Sequence, residues 1–179
     1  LMLLGKDPIA YYWYIVRRGL LSWSGFQATL VRTAPLLFLA AGLIVAFRAG
    51  IWNLGIDGQF LLAAVIVAAL GPILHGNIPN TAIFFSCFVV AAIVGAAWSI
   101  IPAYLKANHG INEIITTLMM TFLGISLANV LIKIPFNDPS TTVPQTETLA
   151  VEDRLPRLFD TIIHQGVVFA VIAVLAVHF

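Results

Sequence analysis

Between Arg48 and Gln59 the chain reads Arg-Ala-Gly-Ile-Trp-Asn-Leu-Gly-Ile-Asp-Gly-Gln, which sets a carboxylate (Asp57), two side-chain amides (Asn53 and Gln59) and three glycines (Gly50, Gly55 and Gly58) directly against a strongly apolar run. As a helix the run Phe60–Leu74 is about 22 Å long, whereas a bilayer core is about 30 Å thick. The missing length has to come from Ile51–Gln59, which puts Asp57 and Gln59 at or inside the hydrocarbon boundary. A carboxylate there costs at least about 2.5 kcal/mol unless it faces protein or water. The glycines weaken a regular helix, and irregular backbone at membrane depth is tolerated only where protein buries it or where it lines a cavity. The segment reads as the wall of a polar pathway, with Asn53, Asp57 and Gln59 as its lining. A buried structural partner is the other role open to Asp57.

A second polar run, Lys106-Ala-Asn-His-Gly-Ile-Asn-Glu113, is short and lies between two apolar stretches. From its end, Glu113, Thr117, Thr121, Gly124 and Ala128 fall within about 80° of one another at 100° per residue, a narrow stripe of small or polar residues on one helix face. Small residues let membrane helices approach closely, so packing alone accounts for Thr117, Gly124 and Ala128. Asn112 and Glu113, at the water boundary, suit either contact with a partner protein or a capped helix start.

The remaining reactive side chains form no catalytic set. His75, His109, His164 and His178 are scattered without helical pairing to acids, so no metal site is expected. The serines lack a nucleophile-elbow context, and no GxxxxGK[ST] loop is present, so the chain is not expected to hydrolyse ATP or act as an enzyme. Energy for any transport must come from a partner or an ion gradient. Cys87 is alone, which leaves no disulfide framework to propose. Arg48, at a helix exit, reads as an interfacial anchor or as a solute ligand.

The elements that would position these residues are membrane helices. Hydrophobic residues make up 60% of the chain and charged ones 9%, with a mean hydropathy of +0.99, values that place it among integral membrane proteins. A net charge of +1 without a basic cluster offers no surface for nucleic acid. Complete spans are expected at about Ala28–Phe47, Ile51–Leu74, Ala82–Tyr104 and Ile114–Ile132, with a truncated fifth at Val167–Val177. Asp7–Gly25, with Tyr11, Tyr12, Trp13, Tyr14 and Trp23 around Arg17 and Arg18, suits a short interfacial helix or an aromatic belt on a loop. Lys133–His164 is polar, and its prolines discourage continuous helix. Its mixed charges, Glu152 and Asp153 among them, suit an exposed surface that serves as a docking site or as a solvated connector. The fold class expected is all-α, a polytopic helix bundle. Leu1–Gly5 reads as the tail of an earlier helix and the last apolar run is cut short, so the chain is expected to be a fragment that begins after one membrane helix and ends inside another.

Three strings in order, Phe47-Arg-Ala-Gly-Ile-Trp-Asn-Leu-Gly-Ile-Asp-Gly-Gln59, Tyr104-Leu-Lys-Ala-Asn-His-Gly-Ile-Asn-Glu-Ile-Ile-Thr-Thr-Leu-Met-Met120 and Asp138-Pro…Pro144-Gln-Thr…Leu155-Pro-Arg157, resemble the permease subunits of bacterial ABC importers for nucleosides and simple sugars. The resemblance implies a multi-pass protein of the bacterial inner membrane, with residues 1–179 a fragment of a single permease domain whose first helix and C-terminal half are missing. It implies a second permease subunit, ABC ATPase subunits that use the ATP, and an extracytoplasmic solute-binding protein; it implies no cofactor on this chain. It makes Asn53–Gln59 the pore segment and Tyr104–Thr117 the ATPase-coupling loop, with Lys106, Asn108, Gly110, Asn112 and Glu113 at its centre. Asp57 stands where Glu is expected, Trp52 where Phe is commoner and Thr121 where Asn is usual. The implied orientation puts Arg48 and Lys106 inside and Lys6, Arg17, Arg18, Arg32, Lys133, Arg154 and Arg157 outside, the reverse of what the positive-inside rule would choose. The rival from another class is an ion-coupled secondary carrier with Asp57 as its coupling site; a third is a membrane scaffold.

Overall fold

The structure, a computed structural model, describes residues 7–178. Among the described residues six α-helices follow one another: α1 (Pro8–Val16), α2 (Trp23–Arg48), α3 (Ile56–Leu74), α4 (Asn80–His109), α5 (Glu113–Lys133) and α6 (Gln165–His178). Among the described residues the only β pairing is an isolated bridge between Arg157 and His164, so the all-α expectation holds. Four helices, α2 to α5, are long and apolar enough to cross a membrane. The run Leu1–Gly5 lies outside the described residues. The chain divides into two compact units, Ala46–Arg154 and the pair of segments Leu1–Val45 and Leu155–Phe179.

In the second of these units, the aromatic segment is helical rather than a loop. Asp7 caps α1 by accepting the Ile9 N–H at 2.9 Å, and Arg18, in the π-helical turn Arg17–Leu21, donates to the Tyr14 hydroxyl at 2.9 Å. Helix α2 starts five residues before the expected Ala28, because Ser22 accepts the Gly25 N–H and supplies a cap that hydropathy alone does not reveal. Buried Gln27 accepts the Ile162 N–H at 3.1 Å and so fastens α2 to the turn at Leu158–Ile163. That turn closes with Leu158 donating to Ile163 at 2.8 Å, and it holds Phe159 and Asp160 at φ +49° and +52°.

The other unit contains the span boundaries that matter for function. Helix α3 packs on both α4 and α5, and α4 on α5. Ile51–Leu74 is not one element: Ile51–Gly55 is irregular, and the helix begins at Ile56, so α3 borrows only Ile56–Gln59 to reach membrane length. Helix α4 runs to His109, well past the expected Tyr104. Lys106 and Asn108 therefore sit on its last turns rather than in a loop, and the loop is only Gly110–Asn112. Polar side chains do not end a helix; the glycine does. Gly110 takes φ +64°, a left-handed conformation that suits glycine, and its N–H bonds back to the Lys106 carbonyl.

The polar stretch after α5 is folded back on the corner between α3 and α4. Leu149 lies against Gly71, Asn80 donates to the Glu152 carbonyl at 3.0 Å, and His75 Nδ1 meets Asp153 Oδ2 at 2.5 Å. Farther out, the Ser140 hydroxyl and amide hold the Asp138 carboxyl below the usual carboxylate range. Asp153 does not belong to the exposed charged surface expected of it: it is 1% exposed, and its Oδ1 is buried without a partner. Removing His75 would strand that carboxylate. His75→Ala is expected to destabilise this corner by about 1–3 kcal/mol, the cost of an unpaired buried polar group. Limited proteolysis should then cut faster within residues 138–160, whereas Glu152→Lys, at an exposed neighbour, should leave the cutting rate unchanged. Equal sensitivity in both variants would contradict the pairing.

Candidate functional site

The segment before α3 has almost no secondary structure of its own, and its peptide groups are met from two sources. Asn53 Oδ1 accepts the Gly55 N–H at 2.9 Å, a short local turn that fixes the helix start where Gly55 has no side chain to cap with. Helix α5 supplies the rest: the Leu54 N–H donates to Thr117 Oγ1 at 3.1 Å, and the Thr121 hydroxyl donates to the Leu54 carbonyl at 2.9 Å. Backbone at membrane depth needs such partners because lipid offers none.

Close approach of α3 to α5 makes these bonds reachable. A Cβ placed on Gly58 would come within 2.8 Å of Thr121 Cα, and one on Gly124 within 2.9 Å of Gly58 Cα. Both glycines are buried, as are Thr116, Thr117, Met120, Thr121 and Ala128 along the same face of α5. The stripe read from the sequence is this contact face. Trp98 on α4 adds a bond from Nε1 to the Met120 carbonyl at 3.2 Å.

Of the residues expected to line a pathway, Asn53 and Gln59 come together, with Asn53 Nδ2 to Gln59 Oε1 at 3.5 Å, and both are half-buried. Asp57 lies in the first turn of α3, is exposed, and makes no hydrogen bond or ion pair among the described residues. Among the described residues nothing buries Asp57 or pairs with it. The first turn of a helix, where backbone N–H groups point outward, is a favourable place for a negative charge.

The residues expected to form a coupling loop gather at the same end. Lys106 Nζ meets Glu113 Oε1 at 2.6 Å, which joins the end of α4 to the start of α5 across Gly110. Asn112 is the N-cap of α5 and accepts the Ile114 N–H at 2.8 Å, so the capped helix start is realised. Asn108 donates to the Tyr104 carbonyl at 3.2 Å and, with Gly110, Ile111 and Asn112, forms an exposed tip. The Glu113 carboxylate also faces the backbone amide of Trp52, which brings the tip up to the irregular segment. The sequence did not single out the hydroxyl bonds of Thr117 and Thr121 to Leu54. The available signal was the pairing of a hydroxyl-bearing stripe with glycine-broken backbone that needs hydrogen-bond partners.

Residues 25–179 match the family described as branched-chain amino acid transport system / permease component. A glucose ABC transporter permease protein of Haloferax volcanii is 31% identical over 99% of this chain and 49% of its own length. A guanosine ABC transporter permease protein of Bacillus subtilis is 29% identical over 58% of this chain and 29% of its own length. For a nucleoside ABC transporter permease protein of Lactococcus lactis the identity is 29% over 66% of this chain and 32% of its own length. The chain thus spans about half the length, or less, of the curated relatives it matches. No solved structure matches it.

Proposed function

Because the chain belongs to the family of branched-chain amino acid transport system permease components, we propose that it forms part of the solute pathway of an ATP-driven importer that works by alternating access. Asn53, Asp57 and Gln59 line the route, and the tip from Lys106 to Glu113 receives an ABC ATPase subunit at the cytoplasmic face. A second permease subunit completes the pore, and an extracytoplasmic binding protein delivers the solute. That solute is a nucleoside or a simple sugar, the classes named for the similar permeases of Bacillus, Lactococcus and Haloferax. The cell membrane is its place.

One observation carries the reading: a polar, glycine-broken segment and an exposed ion-paired tip are gathered at one end of the same three-helix unit. A carrier driven by an ion gradient has no evident need for such a tip. Closure of an ATPase dimer against it would act on α4 and α5 together, since the Lys106–Glu113 pair ties their ends. Helices then serve as stiff levers between loop and pathway.

The test is uptake by the full-length permease reconstituted with its ATPase and binding protein, with guanosine and D-glucose as probes. Uptake is expected to require ATP and to survive a protonophore, and a cross-linker on Asn108→Cys is expected to capture the ATPase subunit. Uptake that persists without ATP and collapses with the protonophore would replace the importer by an ion-coupled carrier.

A further inference from the structure

Asn53, the first of the residues proposed to meet solute, stands on backbone that cannot hold itself, and Asp57 and Gln59 follow it at the start of α3. Between Arg48 and Ile56 there is no helix, yet both peptide groups of Leu54 are engaged by hydroxyls one helical turn apart on α5. Thr117 receives the Leu54 N–H and donates its own proton to the Glu113 carbonyl at 2.6 Å, while Thr121 donates to the Leu54 carbonyl. Glu113 is the residue that pairs with Lys106 at the tip. The contact has no slack: a Cβ on Gly55 would lie 3.1 Å from the Thr117 carbonyl, and those on Gly58 and Gly124 would fall inside 3.0 Å of backbone. Pure packing would need apolar side chains of this shape, and Val would serve. Two hydroxyls aimed at the two polar groups of one residue do something more specific.

We propose that Thr117 and Thr121 are positioning residues that clasp Leu54 to α5, so that a displacement at Gly110–Glu113 reaches Asn53, Asp57 and Gln59 as a rigid shift. Without the clasp, the irregular backbone from Ala49 to Gly55 would absorb the movement before it reached Asn53, and the close crossing at Gly58 and Gly124 would be left to carry it alone. The inference rests on the importer reading, but its geometry can be read separately. It also accounts for hydroxyls in two successive turns, which helix propensity does not favour.

Thr117→Val and Thr121→Val, singly and together, in the reconstituted full-length complex are expected to lower the solute moved per ATP hydrolysed, with guanosine and D-glucose as probes. The double variant should lose about fivefold or more, the lower end of ordinary allosteric coupling, and Thr→Ser at both positions should restore coupling because the hydroxyls return. A double Val variant with wild-type stoichiometry overturns the proposal. Should the Val variants fail to assemble, spin labels on Ile51→Cys and Leu118→Cys, both at exposed positions, read the clasp with Thr117 and Thr121 intact, in a chain whose free Cys87 is replaced by Ser. Their separation is expected to stay constant as ATP binds, and a separation that changes overturns the rigid shift. A wild-type complex that takes up neither probe with ATP sinks the importer reading instead, and the label separation then reports on the clasp alone.

Discussion

Gly58→Leu is expected to remove most of the assembled protein from the membrane. Gly58 sits where α3 crosses α5, and even a single Cβ there would approach Thr121 Cα to 2.8 Å and the Met120 and Thr121 carbonyls to 3.0 Å. These are backbone atoms, so no rotamer change relieves them and the helices must separate. Overpacking of an ordinary core costs about 1–3 kcal/mol and occasionally more; here the separation would also pull Thr117 and Thr121 away from Leu54. Gly58→Ala makes the argument sharper. In an open helix Ala gains about 0.5–1 kcal/mol over Gly, so the sign of its effect shows which force wins. At Gly58 it should lower the unfolding temperature, and at Gly95, with nothing within 4 Å of an added Cβ, it should raise it or leave it unchanged. A Gly58→Leu protein that is extracted in wild-type amounts with an unchanged unfolding temperature would show that the crossing is not close.

Asp57→Asn should do the opposite, sparing assembly while impairing transport. The side chain is exposed and bonds to nothing among the described residues, so its charge supports no contact within the chain. A hydrogen bond to a charged group is worth about 1.5–3 kcal/mol, and losing one to a solute in transit corresponds to about a tenfold to hundredfold fall in uptake efficiency. Uptake at limiting solute, normalised to the amount of assembled complex, is the measurement. Parallel loss of complex and uptake would move Asp57 from the pathway to the scaffold.

The helices were legible because lipid leaves little choice: apolar runs long enough to span have to be helical. The five-residue stripe from Glu113 to Ala128 was legible for the same reason, since spacing fixes which residues share a face. Helix ends were not. The run through Lys106, Ala107, Asn108 and His109 looks like a loop by polarity, but polar residues continue a helix readily, and only the backbone at Gly110 stops it. Likewise Ser22 extends α2 through a capping bond that no hydropathy window registers. Asp153 went astray for a third reason, because its partner His75 lies 78 residues away and only the fold brings the two together. The clasp on Leu54 was half visible: the need was written in one segment and the hydroxyls in another, with nothing local to join them.

Much of the helices' bulk lies outward, and many of their small residues lie inward. Phe85, Phe88 and Phe122 are each about 70% exposed, whereas the buried positions include Gly58, Ala63, Gly71, Gly124 and Ala128. Wherever such an outer face meets lipid tails, any oily side chain is accepted, and Leu, Ile and Phe exchange at little cost. The inner face has no such freedom, because each atom added there pushes two backbones apart. Fidelity in this architecture is thus a matter of omission: neighbouring helices recognise one another by side chains that are missing.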